Sequence, residues 1–241
     1  MSWLFAEAFK VLSRKTSKPK LFLEFKGMRI VCMTNEAQLP MMKSMLNSAL
    51  KCGFPMHLFH CYILGSNKEA ATYNTDQFKS ITVQKLEVIR MNMETDTVLW
   101  VDNDIVFFEN CLKDIVSKPG SFVMQNDGWG HCTGFFLARP GLFSRQVIAN
   151  SVSWLNQRQG SLNDQHAFND VVKKSPVVVF SLSTDEYPNG AMYFAHGFKT
   201  KARMVHCNYL PTTAEKVERF KDHGMWDDSD NGFNLVNKYY I

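Results

Sequence analysis

The chain has 241 residues, of which 45% are hydrophobic and 21% are charged, and its formal net charge is +4. This composition excludes an intrinsically disordered chain, and the near-neutral balance beyond residue 29 argues against a protein that binds nucleic acid. No apolar run reaches the length of a membrane span, and the start of the chain lacks the apolar segment of a signal peptide, so we expect neither.

The first residues differ from the rest of the chain. Residues 1–29 hold seven lysines and arginines against two acids, and residues 1–20 have the pattern of a basic amphipathic helix. Such a helix either contacts an anionic membrane surface peripherally or packs its apolar side onto the main domain. We therefore expect an N-terminal extension over residues 1–27 and one domain over residues 28–241.

Six scattered cysteines form no short metal-binding or disulfide pattern, and the chain has no acceptor site for N-glycosylation. Both features are typical of reduced thiols in a reducing compartment. We expect a soluble protein of a bacterial cytoplasm or of the cytoplasm of a virus-infected host.

Hydrophobic periodicity predicts an alternation of strands and helices along the chain. The predicted strands are residues 28–33, 54–64, 98–101, 121–125, 133–138, 177–182 and 202–206. The predicted helices are residues 39–51, 81–92, 112–117, 141–157, 164–174 and 212–222, and residues 226–241 are interpreted as a tail. Strands that alternate with helices indicate right-handed βαβ units and an α/β fold.

Two acids end the most apolar of these strands. Residues 98–101 are apolar at every position, which suits a strand buried on both faces, and Asp102 and Asp104 follow directly. Carboxylates are rarely buried without a partner, so both are expected at the carboxyl end of the strand, where open α/β sheets bind ligands. Two oxygen ligands there could hold Mg²⁺ or Mn²⁺. The alternative is a solvated acidic turn.

Four motifs occur in a fixed order. They are Asp102-Asn103-Asp104 after the buried strand, Thr133-Gly134-Phe135-Phe136, Asn163-Asp164-Gln165 at a helix start, and Val205-His206-Cys207-Asn208-Tyr209 followed by Lys216. With them, residues 28–226 resemble the GT-A glycosyltransferases, the nucleotide-diphospho-sugar transferase superfamily. The likeness is greatest to branches that transfer galactose, glucose or xylose with retention of configuration. It implies a single-domain α/β GT-A fold, in which helices flank a mixed, mostly parallel sheet.

The resemblance also implies roles for individual residues. Mn²⁺ or Mg²⁺ would be held by Asp102, Asp104 and His206. The uracil and ribose of the donor would contact Thr34, Asn35 and Asn103, and its diphosphate side would face Lys85 and Lys216. Gly134 would let the sugar approach the backbone, and Asp164 and Gln165 would lie beside the transferred sugar, with Asp164 as base, nucleophile or cation stabiliser.

Simpler interpretations remain open for several of these residues. Asp164 also suits the first turn of a helix because of the helix dipole. His206 is alternatively a hydrogen-bonded core histidine, and Lys85 a solvated helix lysine. Lys216 follows Pro211-Thr212-Thr213, where the family pattern has a glycine, so its match is looser.

The resemblance implies a metal-dependent enzyme that transfers a sugar from a nucleotide sugar, a UDP-hexose or UDP-pentose, to a hydroxyl of a glycan or protein-linked sugar. One alternative is a sugar nucleotidyltransferase, although the segment after the first strand, Thr34-Asn35-Glu36, lacks the glycine-rich basic loop expected of one. Another is a catalytically silent module that binds nucleotide sugars. Trp129, in a loop flanked by glycines, could stack on a sugar ring or serve as a core or lid residue.

Overall fold

A computed structural model describes residues 25–65, 75–158 and 162–241. The predicted helix over residues 1–20 and most of the predicted extension lie outside these ranges. The strands are β1 (Met28–Asn35), β2 (Phe59–Leu64), β3 (Thr97–Val101), β4 (Ile105–Phe107), β5 (Phe122–Asn126), β6 (His131–Ala138), β7 (Val179–Ser181), β8 (Met204–His206) and β9 (Asn237–Tyr240). The helices are α1 (Leu39–Lys51), α2 (Asp76–Asn92), α3 (Leu112–Ser117), α4 (Leu142–Asn156), α5 (Asp164–Val172) and α6 (Thr213–Asp222).

A seven-stranded sheet forms the centre of the fold, with the order β7-β5-β6-β3-β1-β2-β9. Strands β3, β1, β2 and β9 pair in parallel, as do β5 and β7, whereas β6 runs antiparallel between β3 and β5. This arrangement confirms the predicted mixed, mostly parallel sheet with flanking helices.

Apolar side chains cover both faces of the sheet. In β3, Leu99 and Val101 join a core cluster that includes residues of α1, while Val98 and Trp100 join a second cluster with residues of α2, α4 and α5. Because successive side chains of a strand point to opposite faces, a strand between two helical layers needs apolar residues at every position. The uninterrupted apolar run of β3 therefore follows from its central place.

The structure departs from the predicted elements in several places. Residues 237–240, interpreted as a tail, form the edge strand β9, and residues 105–107 form β4, which pairs with β8 in a separate two-stranded ribbon. Neither segment shows a periodicity that reveals its pairing partner, since both are short. Helix α2 begins earlier than predicted because the Thr75 side chain caps it, and β2 begins later because Met56–Leu58 form a 3-10 turn.

The carboxyl ends of the central parallel strands form one edge of the sheet. Strand β1 ends at Asn35 and β3 ends one residue before Asp102, and the start of the antiparallel β6 lies at the same edge because the Asp102 amide donates to the Gly134 carbonyl at 2.8 Å. The hairpin between β5 and β6 therefore projects from this edge. Within the described ranges, no helix combines the length and the hydropathy that a membrane crossing requires.

Candidate active site

Three potential metal ligands converge at this edge. Ligand atoms of Asp102, Asp104 and His206 all lie within 4.8 Å of one another. His206 Nε2 is 3.2 Å from Asp104 Oδ1 and 3.9 Å from Asp102 Oδ2. The ribbon sets this geometry, since Ile105 pairs with His206 and the Cys207 amide donates to the Asp104 carbonyl at 2.7 Å. Two carboxylates and an imidazole at one point can bind Mn²⁺ or Mg²⁺, and the nitrogen ligand favours Mn²⁺.

A buried glutamine determines which nitrogen of His206 faces the carboxylates. The Gln125 amide nitrogen donates to the carbonyls of Tyr187 and Pro188, both at 3.1 Å, so its oxygen faces His206 Nδ1 at 2.9 Å. Nδ1 must then carry a proton and donate, which leaves Nε2 of the neutral ring free to coordinate a metal. A second-layer partner that fixes the tautomer in this way is usual for metal-binding histidines.

Charges around Asp104 hold it ionised. Burial alone would raise the pKa of Asp104, but Lys216 and His206 outweigh that effect and hold the pKa well below its usual range. Lys216 Nζ lies 2.7 Å from Asp104 Oδ2, on the side away from His206. Burial alone would likewise lower the pKa of His206, but the Asp104 carboxylate raises that pKa well above its ordinary value. Without a metal, the Asp104 carboxylate thus favours the protonated form of His206.

Lys85 connects two parts of the site. Its ammonium lies 3.1 Å from Asp102 Oδ1 and 2.8 Å from Asp164 Oδ2, and it sits above the Trp100 ring. Burial by itself would lower the pKa of Lys85, but the two carboxylates raise it above the ordinary lysine value. The interpretation as a solvated helix lysine is therefore wrong. Asp164 is buried in the first turn of α5, which confirms its helix-start position, whereas its place beside a transferred sugar stays a prediction.

Gly134 lies next to two of the candidate metal ligands, Asp102 and His206. A Cβ atom on this residue would come within 2.1 Å of His206 Cε1 and 2.8 Å of Asp102 Oδ2. The missing side chain thus gives the imidazole and the carboxylate their space. A contact between Gly134 and a sugar stays a prediction.

The predicted nucleoside-binding residues lie at the end of β1. Thr34 and Asn35 are buried, and Asn35 Oδ1 caps the following turn by accepting from the Gln38 amide at 3.0 Å. Asn103 donates to the Met33 carbonyl at 2.9 Å, whereas its buried Oδ1 has no hydrogen-bond partner among the described residues. A buried acceptor without a partner is costly, so this atom is a suitable contact for a donor group of a ligand.

Asp127 is a buried carboxylate that the sequence analysis did not select. Its Oδ1 accepts from the side-chain amides of Asn189 at 3.0 Å and Asn208 at 2.9 Å, and its Oδ2 accepts from the Gln165 amide at 3.1 Å. Among the described residues no lysine, arginine or histidine forms an ion pair with it. Burial of a carboxylate held only by neutral donors costs free energy, which marks Asp127 as a candidate functional residue.

Local signals for this second group of residues are weak. Gln125 is polar at the end of the apolar run of β5, and that break was the available sign of a buried polar contact. Asp127 precedes Gly128 and therefore has the pattern of an ordinary turn. Asn189 and Asn208 lie outside the helices and strands that pattern analysis detects, and only the fold brings them to Asp127.

Comparisons with known proteins concern the family and the fold of this chain. A family model described as nucleotide-diphospho-sugar transferase matches residues 43–220. The UDP-D-xylose:L-fucose alpha-1,3-D-xylosyltransferase 1 of Arabidopsis thaliana is 34% identical over 83 residues, which are 32% of this chain and 23% of the relative. The MGP4 xylosyltransferase of the same plant is 26% identical over 106 residues, 39% of this chain and 29% of the relative. This chain thus spans less than a third of these relatives' length.

Solved structures share the fold over most of the chain. A glycosyltransferase involved in glycosylation of the major capsid of PBCV-1 superposes with a TM-score of 0.57, at 14% identity, over 80% of this chain and 99% of that one. The galactosyltransferase LgtC, in complex with donor and acceptor sugar analogs, superposes with a TM-score of 0.54, at 13% identity, over 86% and 99%. At such identities the similarity concerns the fold.

Proposed function

Because this chain belongs to the nucleotide-diphospho-sugar transferase family and has the GT-A fold of its structural neighbours, we propose that it transfers a sugar from a UDP-sugar to a hydroxyl of a glycan or protein-linked sugar. We further propose that it requires Mn²⁺ or Mg²⁺ and retains the configuration of the transferred sugar. The relatives suggest UDP-xylose and UDP-galactose as the first donors to test.

The convergence of Asp102, Asp104 and His206, with a lysine on either side, supports this proposal most directly. A nucleoside diphosphate carries its charge on two adjacent phosphates. A cation held by two carboxylates and an imidazole, flanked by Lys85 and Lys216, matches that charge distribution. No feature of the described site favours a nucleotidyltransferase, and a full set of charged groups argues against a silent module.

The bound cation would act as a Lewis acid toward the diphosphate leaving group. The chain's own residues have the remaining roles. Lys216 and Lys85 place fixed positive charge where the leaving group gains negative charge, which stabilises the transition state without reorganisation. The unpartnered Asn103 Oδ1 would accept a hydrogen bond from the nucleoside.

Oxygen atoms for the sugar-binding side come from Asp164, Gln165 and Asp127. The anomeric carbon gains positive charge as its bond to the diphosphate breaks, and nearby carboxylate or carboxamide oxygens stabilise that charge. Asp164 is neutralised by Lys85 at 2.8 Å, whereas Asp127 has only neutral donors around it. Because Asp164 is paired with Lys85, we assign it to holding Lys85 and the donor in place. Because the nitrogen of the Gln165 amide is bound to Asp127, we assign the oxygen of that amide to the face of the sugar.

The test is release of UDP or GDP from a panel of nucleotide sugars, with Mn²⁺ and with EDTA. The wild type is compared with Asp104→Asn, which keeps the shape of the side chain but removes its charge, and with Asp230→Asn, a surface control whose partner is Lys43. We expect metal-dependent UDP release from one sugar, loss of that release in Asp104→Asn and no change in Asp230→Asn. No release from any donor, together with no binding of UDP plus Mn²⁺, would refute the proposal.

A further inference from the structure

The hairpin tip, residues 127–130 between β5 and β6, presents an exposed tryptophan beside the candidate active site. We propose that this tip and Tyr209 form a subsite for a carbohydrate acceptor, in which Trp129 stacks on the sugar ring and Asp127 accepts a hydrogen bond from one of its hydroxyls. This inference rests on the proposed function and names the surface that gives the reaction its acceptor specificity.

The position of the tip is set by the chain on either side of it. The hairpin lies at the sheet edge that carries Asp102, and Asp127 bonds to Gln165, the neighbour of Asp164, and to Asn208, two residues beyond His206. The tip therefore adjoins both the metal ligands and the start of α5. An acceptor bound there is next to the place where the sugar bond breaks.

The tip is held firmly while its tryptophan remains exposed. The Asp127 amide donates to the Gly130 carbonyl at 2.9 Å, and the Asn169 side chain bonds both the amide and the carbonyl of His131, at 3.0 and 2.8 Å. Trp129 nevertheless keeps 59% of its surface exposed, with its ring 6.0 Å from that of His166. The interpretation as a core tryptophan is wrong, and an exposed indole beside the candidate active site is suited to contact a ligand.

Close packing on either side of the tryptophan explains the two glycines. Gly128 has a φ of +89°, which side chains rarely adopt, and a Cβ on Gly130 would lie 3.0 Å from the Asn169 side-chain oxygen. The backbone is thus built to turn tightly and to lean on α5 with only Trp129 projecting. The tip therefore presents its one large side chain, Trp129, to solvent, where a ligand can reach it.

Tyr209 supplies a second aromatic surface. Its φ of +67° is the only positive value of a non-glycine residue in the described ranges, and its hydroxyl donates to the Asp127 carbonyl at 3.1 Å. The ring is 54% exposed. A bulky residue held in the left-handed region indicates that the surrounding structure enforces this position, as is common at functional sites. Trp129 lies two residues beyond Asp127 and Tyr209 bonds to the Asp127 backbone, so both exposed aromatic residues belong to the surroundings of this buried residue.

A sugar ring matches this combination of groups. A pyranose has an apolar face of C–H groups and a rim of hydroxyl donors, so an indole can cover the face while a carboxylate accepts from the rim. Asp127 Oδ2 accepts one hydrogen bond from Gln165, and a carboxylate oxygen can accept another. The side-chain partners of Asp127 are the neutral amides of Gln165, Asn189 and Asn208, so a neutral hydroxyl of a sugar is the same kind of donor as those it already accepts from.

Two assays on the same proteins test the subsite. The first assay measures hydrolysis of the preferred UDP-sugar in the absence of an acceptor. The second assay uses the methyl glycosides of xylose, fucose, galactose, glucose and mannose as acceptors. It measures transfer to them in the presence of UDP-sugar and Mn²⁺, and their binding in the presence of UDP and Mn²⁺. The variants are Trp129→Ala and Trp129→Phe. The control is Phe143→Ala, which removes a half-exposed aromatic at the opposite end of β6.

We expect Trp129→Ala to raise the acceptor KM about tenfold or more, with hydrolysis unchanged, because one stacking contact is lost. Trp129→Phe should recover part of the loss, and Phe143→Ala should match the wild type. Equal acceptor KM in Trp129→Ala and wild type, or no binding of any methyl glycoside to wild type loaded with UDP and Mn²⁺, would overturn the subsite. Absence of donor hydrolysis and of UDP binding would instead refute the proposed function itself.

Discussion

The side-chain amide of Gln165 donates to Oδ2 of Asp127 at 3.1 Å. An ionised carboxylate only accepts hydrogen bonds, so this contact fixes the nitrogen of the amide toward Asp127 and leaves its oxygen to face elsewhere. Asp127 therefore decides which end of the Gln165 amide points away from Asp127, and we proposed above that this end faces the sugar.

The first prediction concerns this orientation. Asp127→Asn introduces a donor opposite Gln165, so the amide should turn and present nitrogen in place of oxygen. We expect kcat for UDP-sugar hydrolysis to fall about tenfold or more, on the scale of one hydrogen bond to a charged group. Steady-state kinetics measures this change, and an unaltered kcat would exclude the orienting role.

A second substitution separates orientation from general damage. In Asp127→Asn/Gln165→Glu, the new carboxylate can again accept from residue 127, so the pairing is restored with its polarity reversed. We expect the double variant to recover a substantial part of the thermal stability that Asp127→Asn loses. If the stability lost by the double variant equals the sum of the losses in Asp127→Asn and Gln165→Glu, the two residues are not coupled.

Gly134 supports a prediction about packing under the metal ligands. Gly134→Ala places a Cβ where His206 Cε1 and Asp102 Oδ2 now lie, so the ligands must move apart. We expect about 1–3 kcal/mol less stability and a large loss of Mn²⁺ affinity. Calorimetric Mn²⁺ titration with thermal unfolding measures both, and Gly65→Ala is the control because nothing lies within 4 Å of its added Cβ.

Metal binding should release a proton. Asp104 raises the pKa of His206 above its ordinary value, so the protonated ring is favoured without metal, and the ring must lose a proton to coordinate through Nε2. Affinity for Mn²⁺ should therefore rise with pH until the pH exceeds that pKa. Titration calorimetry in buffers of different ionisation enthalpy should detect release of about one proton in wild type. His206→Gln, which has no titrating proton, should release none.

Lys85 links stability to two carboxylates. Lys85→Met leaves Asp102 and Asp164 without their buried cation, and removal of one partner of a buried ion pair typically costs about 3–5 kcal/mol. We expect a loss of that order in urea unfolding. Lys85→Met/Asp164→Asn should regain part of the stability but none of the UDP-sugar hydrolysis. Equal stability of Lys85→Met and wild type would show that the lysine is not required to balance these charges.

The sequence predicted the sheet and the grouping of Asp102, Asp104 and His206 more readily than the polar residues around Asp127. Asp102 and Asp104 follow an apolar run that only a strand covered on both faces requires, and the resemblance placed His206 with them. Asp127 has the local pattern of a turn, and its importance depends on Asn189, Asn208 and Gln165, which are 38 to 81 residues away. Strand β9 was missed for the same reason, because a four-residue edge strand is defined by its neighbour β2.

The β4–β8 ribbon has a consequence for how the protein is made. It joins Asp104 to a histidine that is synthesised about a hundred residues later, and it closes through backbone hydrogen bonds between distant parts of the chain. Contacts of such sequence separation form late and slowly. The nascent chain therefore carries its two aspartates for much of its synthesis without the histidine, and a cation that needs all three side chains would bind only after β8 has paired with β4.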